Sequence, residues 1–109
     1  LKIDHAVPPV RRFTGGTSHA SRRLDAYLGE GFARYAKDRR RPEAGAASHM
    51  SPYLHFGQVS PVATALAVRG ARTGDAEDKA AYLEELIVRR ELAMNHVFYE
   101  ERYDGYAAV

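Results

Sequence analysis

Two helix starts lie close together in one stretch of the chain, SPYLHFGQVSP at residues 51–61, and this stretch decides the fold. Ser51 stands at an N-cap position, Pro52 at the first helical position and Gly57 just past the end, which is the order that a short helix favours. Ser60-Pro61 repeats the start signal for a second helix, which should end at the glycines after residue 69. The centre of the chain is therefore predicted to hold two consecutive helices.

The segment before this stretch is predicted to form one amphipathic helix. Thr17 or Ser18 can cap it, and apolar residues then recur at spacings of three and four up to Tyr35. Gly29 and Gly31 each weaken it by about 1 kcal/mol relative to alanine. We therefore expect tertiary contacts to hold its second half.

A long helix is predicted from Asp75 to about Tyr99. Its apolar stripe is interrupted by Arg90, between Ile87 and Met94. Such an arginine must reach solvent at the rim or be paired, because an unpaired buried charge is strongly destabilising. No run alternates with a period of two, so the predicted fold class is all-α.

The chain divides into two parts. Residues 1–16 contain the adjacent prolines Pro8 and Pro9 and are predicted to form an extended linker, while residues 17–109 are predicted to be a piece of a helical domain. The 109 residues, 45% hydrophobic and 28% charged, suffice for one core. Because the chain starts at Leu1, we interpret it as a segment of a longer protein.

Composition excludes several classes of site. The chain has no cysteine, which rules out disulfides, thiolate metal sites and cysteine nucleophiles and fits a cytoplasmic protein. No apolar run approaches the roughly 20 residues of a membrane span, and the first residues, Leu1 to Asp4, do not have the apolar core of a signal peptide. Residues 11–41 hold nine Lys/Arg against three acids, so an anion is expected to bind in this half.

Two groups of polar residues could hold a ligand. The loop at residues 48–52 leads into a helix N-terminus, whose unpaired N–H groups can bind a phosphate, although Ser51 could simply cap its own helix. Glu85 and Arg89 lie four residues apart on the same helical face as Tyr82. They could bind a polar ligand between them, or form a solvated pair worth only about 0.3–0.5 kcal/mol.

A basic cluster follows the first predicted helix and consists of Lys37, Arg39, Arg40 and Arg41. It could bind the phosphates of a nucleic-acid strand, and the alternative is an ordinary solvated face. The histidines show no recurrent metal-ligand spacing, and no glycine-rich nucleotide motif is present, so we expect no metal site.

Two blocks of sequence resemble one family. SPYLHFGQVS at residues 51–60 and EELIVRREL at residues 84–92, together with their separation, closely resemble the class II cyclobutane pyrimidine dimer photolyases. Residues 1–10 and 98–105 also look like this family. The resemblance implies an all-helical domain that binds FAD and follows an α/β antenna domain, with this chain as the first part of the helical domain.

The same resemblance implies roles for nine residues. Tyr35 matches a tyrosine that contacts the flavin nucleotide, and Glu85 and Arg89 match polar flavin contacts. Arg39 matches an arginine that contacts DNA. The loop around the cofactor's diphosphate is matched by Ala47, Ser48, His49, Met50 and Ser51.

The implied activity is light-driven splitting of pyrimidine dimers in UV-damaged DNA, by electron transfer from reduced FAD in a monomeric full-length enzyme. We expect the fragment alone to be inactive. A cryptochrome-like flavin photoreceptor and a flavin-free helical DNA-binding module are the alternatives. The chain departs from the family pattern at His49-Met50, where relatives often have Asn-Leu, at Ala47, where related classes have Thr or Ser, and in having no tryptophan.

Overall fold

Six α-helices form the scaffold of residues 5–8 and 10–106, the part of the chain described by the computed structural model. A π-helical segment, Tyr27–Gly31, extends the first helix, and another, Glu84–Arg89, joins the last two. No strand occurs in the described residues, which confirms the all-α prediction. The helices are α1 (Thr17–Ala26), α2 (Tyr35–Asp38), α3 (Ser51–His55), α4 (Pro61–Gly70), α5 (Ala76–Leu83) and α6 (Arg90–Tyr99).

Side-chain caps set the starts of α4 and α5. The Ser60 hydroxyl accepts a hydrogen bond from the Ala63 N–H, and Pro61 occupies the first helical position. Asp75 and Asp78 form a reciprocal capping box, in which each side chain accepts from the other residue's backbone N–H. Both predicted starts are confirmed.

Two other predicted caps are wrong. Gly16 occupies the N-cap of α1, and neither Thr17 nor Ser18 supplies the cap. Met50 already has helical backbone angles and is the N-cap of α3, so Ser51 is the first helical residue and caps nothing. A hydroxyl inside the first turn lies too far along the chain to accept from the N–H groups that a cap would satisfy.

The first predicted helix does not run unbroken to Tyr35. It ends at Gly31, and the backbone reverses at Arg34, whose φ of 70° lies in the left-handed region. The Asp78 carboxylate accepts hydrogen bonds from the N–H groups of Arg34 and Ala36, at 2.9 and 2.8 Å, and so fixes the start of α2 on α5. This contact between distant segments outweighs the local preference for a continuous helix.

The glycine-weakened end of this helix does receive a tertiary contact. The Thr73 hydroxyl donates a hydrogen bond to the Leu28 carbonyl, which lies in the π-helical segment. It thus satisfies a carbonyl close to the point where the helix ends.

An aromatic cluster fills the larger part of the core. Phe32 is fully buried and meets Tyr82 edge-on at a ring-centroid distance of 5.9 Å, while Tyr35 lies 5.1 Å from Tyr82. Gly74 has a φ of 72°, and a Cβ on it would lie 2.7 Å from the Phe32 ring. A neighbouring cluster consists of Ala20, Leu24, Met50 and Tyr53.

The apolar stripe predicted for the long helix does not form a buried face along its whole length. Leu86 is buried, but no residue of α6 is, and Phe98 is 79% exposed. Arg90 is therefore not a buried charge, and its guanidinium pairs at the surface with Glu91 at 3.2 Å. The helix ends at Tyr99 as predicted.

The predicted linker is non-helical where it is described, at residues 5–8 and 10–16, and its remaining residues lie outside the described part. Its end is held on α3 and the turn after it, because the Tyr53 hydroxyl donates to the Thr14 carbonyl at 2.9 Å and the Gln58 side chain accepts from the Gly16 N–H at 2.9 Å. Among the described residues, no helix combines the length and apolar character needed to cross a bilayer.

Candidate functional site

One cavity of about 610 Å³ lies between α2, the loop before α3 and the helix that begins with α5. All nine residues predicted to bind cofactor or DNA line it, so the fold brings together three segments that are far apart in sequence. Tyr82 lies at the cavity between these segments. The nine residues are Tyr35, Arg39, Ala47, Ser48, His49, Met50, Ser51, Glu85 and Arg89.

The loop of residues 46–50 is held in place by hydrogen bonds from two helices. Tyr27 donates its hydroxyl to the Ala46 carbonyl at 3.0 Å, and the Arg23 Nε donates to the Ser48 carbonyl at 3.3 Å. From α5, the Tyr82 hydroxyl donates to the Ser48 Oγ at 3.1 Å. These hydrogen bonds therefore fix both the backbone of the loop and the Ser48 hydroxyl.

Ser48 is left with one free donor. Its Oγ accepts from Tyr82 and also from the Met50 N–H, at 3.4 Å, which uses both lone pairs of the hydroxyl. The hydroxyl proton remains for a ligand in the cavity. An acceptor such as a phosphate oxygen suits this position.

His49 has a left-handed backbone, with a φ of 55°. Asparagine, aspartate and histidine adopt this conformation more readily than other side chains, so the Asn that the resembled family often carries here meets the same backbone requirement. Burial, followed by the charges of Arg12 and Arg23, lowers the pKa of His49. The imidazole is consequently neutral at pH 7.

Positive charge dominates the cavity wall, since four arginines and only one carboxylate line it. Arg39 forms an ion pair with Glu85, whereas Arg89 lies 4.0 Å from Glu84. Glu85 and Arg89 therefore do not pair with each other in the described part of the chain, because the π-helical turn brings Arg89 into register with Glu84, five positions earlier. The excess charge favours an anionic ligand.

Two buried tyrosines complete the wall. Burial raises the pKa of Tyr35, with Glu85 adding to the effect and Arg39 opposing it. Burial also raises the pKa of Tyr82, against the hydrogen bond to Ser48. Both hydroxyls therefore stay protonated at neutral pH, and that of Tyr82 donates its proton to Ser48.

Curated proteins with similar sequences are all photolyases by name. The chain is 44% identical over 93 residues to the deoxyribodipyrimidine photo-lyase of Methanothermobacter thermautotrophicus, covering 85% of the chain and 20% of that protein. It is 36% identical over 104 residues to the enzyme of Potorous tridactylus, covering 95% and 20%. For the Arabidopsis thaliana enzyme the identity is 44% over 82 residues, covering 74% and 16%.

The chain belongs to the deoxyribodipyrimidine photolyase family. It spans a fifth or less of the length of these photolyases. No family model matches it.

Several residues that build the site of this photolyase-family chain were not predicted. Tyr27 and Arg23 bond to loop residues 19 and 25 positions away, and Asp78 fixes α2 from more than 40 positions away. Such distant pairings leave no local pattern in the sequence. Of these residues, only Tyr82 could be found from the sequence, because helical spacing puts it on the same face as Glu85.

In the described part of this photolyase-family chain, no group of three or more His, Asp or Glu side chains is arranged to hold a metal ion. The polar side chains around the cofactor cavity are instead mainly hydroxyls and guanidiniums, with one carboxylate, that of Glu85. Such donors are typical of anion binding.

Proposed function

We propose that this chain supplies one wall of the FAD site of a photolyase that splits pyrimidine dimers in UV-damaged DNA. The observation that carries the proposal is the convergence of all nine family-matched residues on one cavity. Membership of a family whose curated members are named deoxyribodipyrimidine photo-lyases supports it. As the resemblance implies, the whole protein would act as a cytoplasmic monomer.

The cavity fits the chemistry of FAD. Its volume of about 610 Å³ falls within the usual range of cofactor pockets. Arginines and the Ser48 hydroxyl suit a diphosphate, while Leu54, Leu86 and the tyrosine rings offer apolar surface to a flat ring system. When bound, FAD supplies light-driven one-electron chemistry.

Ser48 and Arg89 would bind the anionic part of the cofactor. The Ser48 hydroxyl, fixed by Tyr82, donates to a phosphate oxygen, and the Arg89 guanidinium offsets the phosphate charge. Since Ala47 has no hydroxyl, the loop at this point offers only backbone groups.

Glu85 and Arg39 would act as a coupled pair. Glu85 provides the carboxylate at the cavity wall, and its ion pair with Arg39 holds the arginine at the rim, with 22% of its side chain exposed. A DNA phosphate that binds Arg39 must do so while the guanidinium is also paired with Glu85. We infer that Arg39 contacts DNA by sharing its guanidinium between the two anions.

Flavin content of the protein at the full length of its relatives tests the cofactor assignment. We expect the purified protein to release FAD on denaturation, and Arg89→Gln to weaken FAD binding about tenfold, the loss expected for one charge-assisted hydrogen bond. Arg72→Gln, in the exposed turn between α4 and α5, is the control and should bind FAD normally. A colourless protein that still binds DNA would instead indicate a flavin-free module.

Repair is tested separately under blue light. The flavin-loaded full-length protein should remove dimers from UV-irradiated DNA, and Arg39→Gln should reduce DNA binding while leaving flavin content within twofold. Dimers that persist under illumination, with flavin bound, would contradict repair and indicate a photoreceptor.

A further inference from the structure

A second cavity, of about 650 Å³, shares Ala47 and Ser48 with the first and is otherwise lined by α1, the segment before it, the π-helical turn after it and Tyr53 of α3. We refer to it as the α1 cavity. Its wall carries a single carboxylate, that of Glu30. Four basic side chains line the same wall: Arg12, His19, Arg22 and Arg23.

Two of these arginines are held close together by one aromatic ring. The guanidinium carbon of Arg12 lies 5.7 Å from the centroid of the Phe13 ring, and that of Arg23 lies 5.2 Å from it. Arg23 is further fixed by its hydrogen bond to the Ser48 carbonyl. Two positive charges thus lie against one ring, and an anion bound beside them would be attracted by both.

The carboxylates of the residues that the structure describes do not pair with these arginines. Within the described residues, Arg12, Arg22 and Arg23 form no ion pair, and Arg22 instead contacts the Nδ1 of His19 at 3.1 Å. The positive potential also reaches His49, whose ring lies 6.1 Å from Phe13. Burial is the larger cause of the lowered pKa of His49, and the charges of Arg12 and Arg23 add to it.

We propose that the α1 cavity is a second anion site, separate from the cofactor cavity, and that it binds a phosphate group. Guanidiniums bind phosphate oxygens through paired N–H donors, and here Arg12, Arg22 and Arg23 present several such donors with few competing carboxylates. The phosphate can come from a nucleic-acid strand or from a small ligand. The site does not depend on FAD or on repair activity.

Titration of the chain with inorganic phosphate, at constant ionic strength adjusted with chloride, tests the site. The ring signal of His19, which lines the α1 cavity, reports on phosphate binding in NMR spectra. We expect a saturable shift with phosphate and none with chloride. Arg12→Gln should weaken phosphate binding about tenfold, and Arg22→Gln should do the same, because each removes one charge-assisted contact.

Matched variants separate this site from the cofactor cavity and from general charge. Arg72→Gln removes the same charge elsewhere and should leave phosphate binding unchanged. Phosphate binding that survives in Arg12→Gln, or that is lost in Arg89→Gln instead, would overturn the proposal, as would an equal response to chloride.

A short single-stranded DNA identifies the source of the phosphate. If DNA binding falls in Arg12→Gln in parallel with phosphate binding, the ligand is a strand phosphate. If inorganic phosphate binds through Arg12 and DNA does not, the α1 cavity takes a small phosphate ligand. Failure of FAD binding or repair in the full-length protein would leave both readouts unaffected, so the two proposals fail independently.

Discussion

Asp78 determines the geometry of the site from outside it. Its carboxylate accepts backbone N–H hydrogen bonds from Arg34, Ala36 and Asp75, and it is 4% exposed. Because α2 starts at this contact, Asp78 sets where Tyr35 and Arg39 meet the cavity. It is a positioning residue for both.

Asp78→Asn should destabilise the fold. An amide replaces one acceptor oxygen by an NH₂ group, which faces backbone donors, so at least one hydrogen bond to a charged group is lost, at a cost of about 1.5–3 kcal/mol. Chemical denaturation measures the free energy of unfolding. Glu77→Gln, an exposed neighbour in the same turn, should change it by less than about 0.5 kcal/mol; equal losses in both variants would contradict this role.

The stabilisation by Asp78 should depend on pH. Burial alone would raise the pKa of Asp78, but the hydrogen bonds from the N–H groups of Ala36, Arg34 and Asp75 outweigh it and lower the pKa below the ordinary value of 3.8. The ionised form thus stabilises the fold above that value and loses its effect as the pH falls through the folded pKa. We expect the difference in unfolding free energy between the native chain and Asp78→Asn to be constant from pH 5 to 7 and to shrink below about pH 4. A constant difference down to pH 2 would contradict it.

At the scale of elements, the loop of residues 46–50 depends on its neighbours for its shape. The Tyr27 hydroxyl is buried, and burial raises the pKa of this side chain, with Tyr82, Tyr35 and Asp78 adding to the effect. Its hydrogen bond to the Ala46 carbonyl therefore persists across the accessible pH range. The bond fixes the end of the loop that faces α1.

Tyr27→Phe should loosen this loop without unfolding the chain. Loss of the hydrogen bond leaves the Ala46 carbonyl without this donor, at a cost of about 1 kcal/mol. Hydrogen exchange at the amides of residues 47–50 should become faster. Tyr99→Phe, where the side chain is 79% exposed, should change neither stability nor exchange, and unchanged exchange in Tyr27→Phe would contradict the anchoring role.

Capping residues allowed the starts of some helices to be predicted from the sequence, but not the starts of others. The starts of α4 and α5 follow from Ser60 and Asp75, because their side chains bond within the same turn. The break before α2 does not, since it depends on Asp78, 44 positions from Arg34. Both π-helical segments were missed because a spacing of three and four assumes a constant 3.6 residues per turn.

The candidate site was likewise predictable from the sequence only in part. Helical spacing placed Glu85 on the face of Tyr82, but only the family resemblance joined that helix to Tyr35 and to the loop at residues 47–51. The contact that orders the loop, from Tyr82 to Ser48, spans 34 positions. Packing between distant segments therefore determines the geometry of the site. Such packing leaves no local pattern in a single sequence.

At the scale of the whole molecule, the exposed apolar side chains of α6 stand out. Leu92 is 54% exposed and Phe98 79% exposed, although apolar residues of this size are usually covered. Among the described residues, nothing buries any side chain of α6. In isolation, such a surface favours association.

We expect the 109-residue chain to associate with increasing concentration. Sedimentation velocity should show larger species, and the double substitution Leu92→Gln/Phe98→Gln should weaken association about tenfold or more, because both side chains lose apolar contact area. Val10→Asn is the control, because Val10 is 72% exposed but lies far from α6 in sequence. A chain that stays monomeric at high concentration, or a control that behaves like the double variant, would contradict this expectation.

The π-helical turn at Glu84–Arg89 depends on the exact number of residues in this segment. A wide turn accommodates one residue more than an α-helical path would, so removing any single residue there could restore regular winding. The residues after the turn would keep their orientation, because the wide turn had absorbed the extra residue, but the residues within the turn would change position around the helix axis. Glu85 and Arg89 both lie in this turn, so the cavity wall would change although every side chain needed for the site was still encoded. In an alignment, a one-position gap here would therefore signal a changed site more clearly than most substitutions.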